Sequence, residues 1–298
     1  MKNLIAATYA PMKENGNLNP QRVEEYAQFV YRNNINGVFI NGSTGDFVSL
    51  ATAERKELLE AWSQFRKSST KLINHVGHTS LREAQELAVH SKAKADAVAA
   101  IAPFYFGPSN AEKLLEYCKA IAEAAELPFY YYHLPALTGV NFDMVGFSEM
   151  AVEQIPNFAG IKFTENNVVE FQKLNAAQPD LDIFFGVDEA FIASLSLGAK
   201  GWVGSTYNHM APLYQKIHAS FSEGDLEEAN RLQSLAIYFV ESLAAQGGFN
   251  GAGKSFMKLL GLDCGPSRYP HSSLSTDDLK QTKADLDKKG LTELLTRC

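Results

Sequence analysis

The chain has 298 residues, of which 46% are hydrophobic and 20% are charged. This composition is typical of a globular protein with a sizeable core, and it excludes a disordered chain, a collagen and a small disulfide-stapled protein. The net charge is −7, from 34 acidic and 27 basic residues. Because no stripe of lysine and arginine occurs, we expect neither nucleic acid nor an anionic membrane surface as a partner.

The cysteines indicate a reducing compartment. Cys118, Cys264 and Cys298 are odd in number and far apart, and they form neither a CxxC pair nor a disulfide framework. The first residues are too short an apolar run for a signal peptide, and no apolar run approaches the ~18 residues of a membrane span. The sequence therefore predicts a cytoplasmic protein.

Short runs rich in Val, Ile, Phe and Tyr recur along the chain and predict eight strands. Most of these runs are apolar throughout, which is typical of a parallel sheet covered by helices on both faces. The predicted strands span residues 3–9, 36–41, 71–76, 97–102, 128–133, 159–163, 182–186 and 200–204.

Helical patterns separate these strands, often behind capping residues such as those of Ser80–Glu83 and Ser109–Glu112. Eight β-α repeats predict an α/β fold, a (β/α)₈ TIM barrel, over residues 1–222. The repeating apolar pattern of 225–246 and two shorter helical patterns predict a helical extension over residues 223–298, packed on the barrel. A doubly wound open sheet is the alternative, weakened by the strand count and by the lack of a GxGxxG turn.

Polar residues end six of the predicted strands. Barrel enzymes carry their catalytic groups at this end of the strands, so these residues are the candidates for chemistry. They are Asn41–Asp46, Pro103–Tyr105, Tyr132–His133, Lys162–Thr164, Gly186–Glu189 and Gly204–Thr206.

Lys162 is the sharpest candidate, because it interrupts the apolar run Phe158–Phe163. Desolvation favours a neutral amine, which is a nucleophile that forms a Schiff base with a carbonyl substrate. The alternative is a structural lysine that pairs with a carboxylate or extends to solvent from the strand end.

Three other features each allow a functional and a structural interpretation. The turn with Ser43 and Thr44 offers N–H groups and hydroxyls to a small carboxylate or phosphate, or is simply a turn. Tyr132 could relay a proton or pack as a large aromatic. Asp188 and Glu189 could accept hydrogen bonds from sugar hydroxyls or cap a helix.

Two patterns suggest sites that we do not expect. His75 and His78 lie close together, but no third ligand at a metal-binding spacing accompanies them, so no metal is predicted. Residues 248–255, GFNGAGKS, match a nucleotide phosphate loop. Such a loop must follow a buried strand, whereas a predicted helix precedes this one, so we interpret it as a turn between helices.

The candidate motifs together resemble the family of pyruvate-dependent class I aldolases that contains the dihydrodipicolinate synthases and the N-acetylneuraminate lyases. The resemblance covers nearly the whole chain. It rests on Gly42–Gly45, Ala102–Tyr105, Tyr130–Val140, Gly160–Phe163, Gly186–Glu189, Gly204–Asn208 and Cys264–Arg268, in that order.

This resemblance implies roles for individual residues. Lys162 forms the Schiff base, Tyr132 moves the proton of the hydroxyl at the breaking bond, and Ser43 with Thr44 holds the carboxylate. Tyr105 completes the proton relay, typically from a neighbouring subunit. The residues that it implies for the sugar hydroxyls are Thr164, Gly186, Asp188, Glu189 and Ser205. It further implies a homotetramer without metal or organic cofactor.

Within the family, the sequence is most similar to the lyases of sialic acid catabolism, which release pyruvate and N-acetylmannosamine. Leu137 stands where the dihydrodipicolinate synthases carry an arginine for a second carboxylate. Two alternatives stay open: an aldolase for another 2-keto acid, such as a keto-deoxy sugar acid, and a barrel that binds a keto acid or sugar without turnover. Trp202 is bulkier than expected in the last strand.

Overall fold

Eight parallel strands close into a barrel in chain order, in a computed structural model that describes residues 3–298. This confirms the predicted (β/α)₈ barrel. Seven of the predicted strands contain the observed one, whereas the sixth observed strand begins at Phe158, one residue before its predicted start. The strands are β1 (Leu4–Ala7), β2 (Gly37–Ile40), β3 (Lys71–His75), β4 (Ala97–Ile101), β5 (Phe129–His133), β6 (Phe158–Phe163), β7 (Asp182–Phe185) and β8 (Trp202–Gly204).

The strands are buried almost along their whole length, as their apolar sequences predict. Every residue of β4 and β5 is buried, because the barrel interior covers one face and helices cover the other. In the register between β5 and β6, Tyr132 lies beside Lys162. Neighbours in this register point to the same face of the sheet, so these two side chains share one side of the barrel wall.

Twelve α-helices connect or follow the strands in the described part of the chain. They are α1 (Val23–Arg32), α2 (Thr52–Phe65), α3 (Leu81–Ser91), α4 (Ala111–Ala125), α5 (Pro135–Thr138), α6 (Met144–Gln154), α7 (Val168–Ala177), α8 (Phe191–Ser196), α9 (Tyr207–Ser222), α10 (Leu226–Ala244), α11 (Lys254–Phe256) and α12 (Thr276–Lys288). No helix of residues 3–298 is long and apolar enough to cross a membrane.

Capping residues set where two of these helices begin. The Ser80 hydroxyl accepts a hydrogen bond from Glu83 N at the start of α3. At the start of α4 the cap is Asn110, whose Oδ1 accepts a hydrogen bond from Lys113 N at 2.9 Å. The capping residue predicted from Ser109–Glu112 is therefore one residue too early. Asparagine is at least as good a cap as serine, and for that reason the pattern alone did not separate them.

Trp202, which the sequence left unexplained, has a specific partner on the helical layer. Its indole Nε1 donates a hydrogen bond of 2.7 Å to the Ser194 hydroxyl of α8, and both residues are buried. A buried indole N–H needs an acceptor. The tryptophan therefore ties β8 to the helix that precedes it.

The described chain divides into two compact units. The first unit comprises the residues up to Lys71, Asp188–Ile192 and Gly204–Cys298; the second comprises Leu72–Val187 and Ala193–Val203. Helices α10 to α12 belong to the first unit. The predicted boundary between a barrel domain and an extension at residues 222 and 223 stays a prediction.

Candidate active site

In the second unit, Lys162 and Tyr132 lie together inside the barrel wall. The Lys162 Nζ is 3.8 Å from the centre of the Tyr132 ring, and the two residues are 4% and 3% exposed. The next residue of β6, Phe163, packs on Phe171 of α7 and so marks the outer face. Strand alternation then directs Lys162 inward. Its amine therefore lies against the Tyr132 ring in a buried environment.

A histidine packs against the tyrosine of this pair, although no motif of the sequence connects the two. The ring of His75 is perpendicular to that of Tyr132, with 6.0 Å between ring centres. Its Nε2 accepts a hydrogen bond from Ile101 N at 3.2 Å. A Cβ on Gly77 would come within 2.7 Å of this nitrogen, so the glycine is what makes room for the imidazole.

The second histidine of the pair, His78, belongs to a loop instead. Its Nδ1 accepts from Ser80 N, and its carbonyl accepts from the Tyr117 hydroxyl at 2.9 Å. The two rings thus serve different local structures. Within residues 3–298 no group of three His, Cys, Asp or Glu side chains is arranged to hold a metal ion.

Thr164 and Gly186 follow β6 and β7 and touch each other. Gly186 N donates to Phe163 O at 2.8 Å, which holds the two strand ends together. A Cβ on Gly186 would lie 2.1 Å from the Thr164 hydroxyl oxygen, so only glycine leaves that side chain in place. The Thr164 Oγ1 is buried without a hydrogen-bond partner among the described residues, which leaves it available to a ligand.

His133 connects the end of β5 to the loop that carries Thr164. Its Nε2 lies 3.3 Å from a carboxylate oxygen of Glu165, and Thr164 N donates to the His133 carbonyl at 2.9 Å. Burial lowers the pKa of His133 to about 4, so the imidazole is neutral near pH 7. The contact with Glu165 is therefore a hydrogen bond rather than an ion pair.

Tyr105 lies away from these buried groups, in the loop after β4. It is 79% exposed and rests against the ring of Phe106, with 4.8 Å between ring centres. Among the described residues its ring contact is with Phe106, and it does not reach the Lys162–Tyr132 pair. Two exposed aromatic side chains side by side form an apolar patch at the surface.

In the first unit, the turn after β2 holds Ser43 and Thr44, both half-buried. Asp46 N donates to Ser43 O at 3.0 Å and closes the turn. A Cβ on Gly42 would meet the Phe39 ring at 2.7 Å, so glycine is needed where the chain leaves the strand. The Asn250 side chain, which the sequence did not suggest, donates to the same Ser43 carbonyl at 3.0 Å.

Asp188 is 4% exposed, and it is held by residues after β8. One carboxylate oxygen accepts from Thr206 N at 2.9 Å and from the Thr206 hydroxyl at 2.6 Å, and that hydroxyl contacts the Tyr214 hydroxyl at 2.8 Å. A Cβ on Gly204 would lie 1.7 Å from the other oxygen. Of the two adjacent carboxylates, this one is built into the protein.

Glu189 differs from its neighbour in being exposed. Partial desolvation of its carboxyl group and the nearby Asp188 nevertheless raise the pKa of Glu189 above its usual value. Ser205 is half-buried, and the Asn208 side chain donates to its carbonyl at 2.7 Å. The side chains of Glu189 and Ser205 are therefore at least partly accessible from outside the core.

The segment that matches a phosphate loop has a different structure. Phe249–Gly253 form a single π-helical turn after α10, and α11 follows at once, so a helix precedes the segment, as interpreted from the sequence. Lys254 is 6% exposed, its Nζ donates to Pro266 O at 2.8 Å, and burial lowers its pKa to about 8. This hydrogen bond holds the Lys254 side chain against the C-terminal segment that contains Pro266.

The geometry defines a class of protein: a parallel (β/α)₈ barrel that buries an amine beside a phenol at the ends of two neighbouring strands. Known proteins resemble the whole chain. N-acetylneuraminate lyase A of Xenopus laevis is 36% identical over 297 residues, which are 98% of this chain and 97% of that protein.

Two solved structures are similar over the same extent. The N-acetylneuraminate lyase of Proteus mirabilis is 34% identical, with a TM-score of 0.92 over 97% of this chain and 98% of that one. That of Aliivibrio salmonicida is 32% identical, with a TM-score of 0.93 over 97% and 96%. The model of the dihydrodipicolinate synthetase family matches residues 1–289. The chain belongs to the dihydrodipicolinate synthetase family.

Proposed function

We propose that this protein is a class I aldolase, a carbon–carbon lyase that cleaves N-acetylneuraminate reversibly to pyruvate and N-acetylmannosamine through a Schiff base on Lys162. The observation that carries the proposal is the buried Lys162 amine, 3.8 Å from the centre of the Tyr132 ring. The substrate is supported by the relatives and solved structures above, which are named N-acetylneuraminate lyases.

The order and direction of the strands support the roles proposed for the residues that follow them. All eight strands are parallel in a closed barrel, so the residues that follow them lie at the same end. In the proposed site the turn with Ser43 and Thr44 binds the substrate carboxylate through N–H and hydroxyl groups. Holding the carboxylate also holds the adjacent keto carbon for attack by Lys162, which removes orientational freedom before the chemical step.

The reaction then follows from the electronics of the imine. The Lys162 amine adds to the keto carbon of the open-chain sugar acid, and the resulting hydroxyl leaves as water with a proton taken from solvent, which gives a protonated imine. Tyr132 takes the proton of the hydroxyl on the second carbon beyond the imine and passes its own phenol proton into the relay, which later protonates the enamine. The carbon–carbon bond breaks, the aldehyde N-acetylmannosamine leaves, and the electron pair enters the imine as an enamine. Protonation of the enamine and hydrolysis of the imine release pyruvate and restore the lysine.

The remaining predicted residues serve the polyhydroxylated tail. Thr164 offers a buried hydroxyl that has no hydrogen-bond partner within residues 3–298, and the exposed Glu189 offers a carboxylate. Gly186, Asp188 and Ser205 complete the predicted set. Leu137 is apolar, so it would not hold the second carboxylate of an aspartate-derived substrate.

Tyr105 is 79% exposed in a single chain. A role for it in the proton relay therefore requires a neighbouring subunit, in keeping with a homotetramer. We place this enzyme in the cytoplasm, where it would serve sialic acid degradation. The three cysteines are unpaired in the structure, as a reducing compartment would leave them.

The test is borohydride trapping followed by peptide mass spectrometry. The protein is incubated with N-acetylneuraminate, reduced, and digested, and the modified lysine is located. We expect a reduced pyruvyl adduct on Lys162 and none in the Lys162→Ala variant. Lys254 is the built-in control, because it is also a buried amine and its pKa is lowered to about 8.

The outcomes separate the alternatives. An adduct from free pyruvate but none from the sugar acid would retain the aldolase chemistry and point to another 2-keto acid. Adducts on Lys254 as abundant as those on Lys162 would indicate unspecific labelling. No adduct from either compound would refute the Schiff-base mechanism and favour a binding protein without turnover.

A further inference from the structure

Asn250 connects the C-terminal part of the chain to the turn after β2. It lies in the π-helical turn Phe249–Gly253 and is half-buried. Its side-chain Nδ2 donates to the Ser43 carbonyl at 3.0 Å, and its own carbonyl accepts a hydrogen bond from the Ser267 hydroxyl at 2.5 Å. Both the side chain and the backbone of Asn250 are thus held in place.

Neighbouring contacts fix the backbone position of Asn250. A Cβ on Gly251 would come within 2.7 Å of the Ser272 carbonyl oxygen, so the glycine allows the π-helical turn to pack closely on the following segment. The Ser255 hydroxyl donates to Gly251 O at 2.9 Å. Since the backbone around Asn250 is fixed, its short amide side chain has a defined reach.

The Ser43 carbonyl is held from two directions. Asp46 N donates to it at 3.0 Å within the turn, and Asn250 Nδ2 donates from outside the turn. The carbonyl of Ser43 and the N–H of Thr44 belong to one planar trans peptide and point in opposite directions. Any group that fixes this carbonyl therefore also fixes the direction of the Thr44 N–H.

We propose that Asn250 is a positioning residue for substrate binding, which aims the Thr44 N–H at the carboxylate of the keto acid by holding the Ser43–Thr44 peptide. The inference rests on the proposed function, in which this turn binds the carboxylate. Asn250 does not touch the substrate. On this proposal, residues 248–255 contribute to the binding of the keto acid and not to the binding of a nucleotide.

The test compares two ketones that differ in the carboxylate alone: pyruvate and its neutral ester, methyl pyruvate. For each, the concentration that gives half-maximal borohydride trapping on Lys162 is measured in the wild-type protein and in Asn250→Leu, which keeps the side-chain volume without a donor. We expect half-saturation by pyruvate to rise about five- to tenfold, the effect of a weakened hydrogen bond to a charged group. We expect the maximal rate and the values for methyl pyruvate to change little.

Two further variants complete the design. Asn230→Ala removes an exposed asparagine of α10 that donates to Leu226 O, and it should leave both ketones unaffected. Ser267→Ala removes the hydrogen bond to the Asn250 carbonyl. It should shift pyruvate alone, by about two- to threefold, and it replaces Asn250→Leu if that variant does not fold.

The result has a definite interpretation in each case. A shift confined to pyruvate supports the inference. An unchanged half-saturation for pyruvate, or an equal shift for both ketones, would overturn it, because Asn250 would then have no effect or only a general structural one. Failure of the wild-type protein to trap pyruvate on Lys162 would instead count against the proposed function itself.

Discussion

Gly204→Ala should destabilise the protein by displacing the Asp188 carboxylate. The added methyl group would lie 1.7 Å from one carboxylate oxygen, and Cβ atoms do not approach other atoms closer than 3.0 Å. The carboxylate would therefore have to move by about 1.3 Å or more. Its other oxygen accepts two hydrogen bonds from Thr206, at 2.9 and 2.6 Å, in a buried place.

The loss follows from those two hydrogen bonds. A movement of this size breaks both, and a hydrogen bond to a charged group is worth about 1.5–3 kcal/mol. Gly204→Ala should thus lower the free energy of unfolding by about 3–6 kcal/mol, a large part of the ~5–15 kcal/mol typical of a folded protein. Gly107→Ala is the matched control, because its methyl group would approach a flexible Val140 side chain at 3.2 Å and should cost less than about 1 kcal/mol.

Urea unfolding at pH 7 measures these differences, and a double-mutant cycle identifies their cause. In the Asp188→Ala background the carboxylate is gone, so Gly204→Ala should cost less than about 1 kcal/mol. Simple addition of the costs of the two substitutions would show that the clash with the carboxylate is not the cause of the loss. A cost of Gly204→Ala in the wild-type background as small as that of Gly107→Ala would show the same.

Three other substitutions or conditions test separate parts of the structure. Tyr132→Phe should still form the imine with pyruvate, but cleavage of the sugar acid should fall by about a hundredfold or more; a rate within threefold of wild type in a steady-state assay would remove Tyr132 from the proton transfer. Burial lowers the pKa of His133 and of His209 to about 4, below the ~6.5 of an unfolded histidine. Between these pH values only the unfolded state takes up protons, so the stabilisation is complete above pH 6.5 and is lost as the pH falls towards 4. The loss is about 2 kcal/mol per ring from pH 7 to pH 5. In urea unfolding, His209→Gln should show half of the loss that the two rings together cause in the wild-type protein, and an undiminished loss would contradict this assignment. Trp202→Phe removes the donor to Ser194 and should cost about 1–3 kcal/mol in thermal or urea unfolding; an equal cost in a Ser194→Ala background would show that the hydrogen bond is not the reason.

Much of the fold and part of the site could be predicted from the sequence. Eight apolar runs with helical patterns between them allow few other architectures, because fully apolar strands must be covered on both faces. Lys162 was a candidate because a charged residue inside the apolar run of β6 is costly to bury without a compensating interaction. The polar residues that end six of the predicted strands were candidates because barrel enzymes carry their catalytic groups at that end of the strands.

The contacts that support those residues needed the tertiary structure. Asn250 is 207 positions from Ser43 in the chain, and nothing in the local pattern of residues 248–255 indicates which carbonyl its amide reaches. Trp202 and Ser194 are close in sequence, yet their hydrogen bond depends on how α8 packs on β8. The adjacent carboxylates Asp188 and Glu189 looked equivalent in the sequence.

The sequence by itself determined the architecture and singled out Lys162 as a candidate, since apolar periodicity and a charged residue type inside an apolar run are local signals carried by each segment. The tertiary structure alone decided the environment of each polar side chain. It made Asp188 a buried acceptor for Thr206 and left Glu189 exposed. The physical reason is that a polar group's partners come from distant parts of the chain, and burial makes a suitable partner necessary without specifying which one.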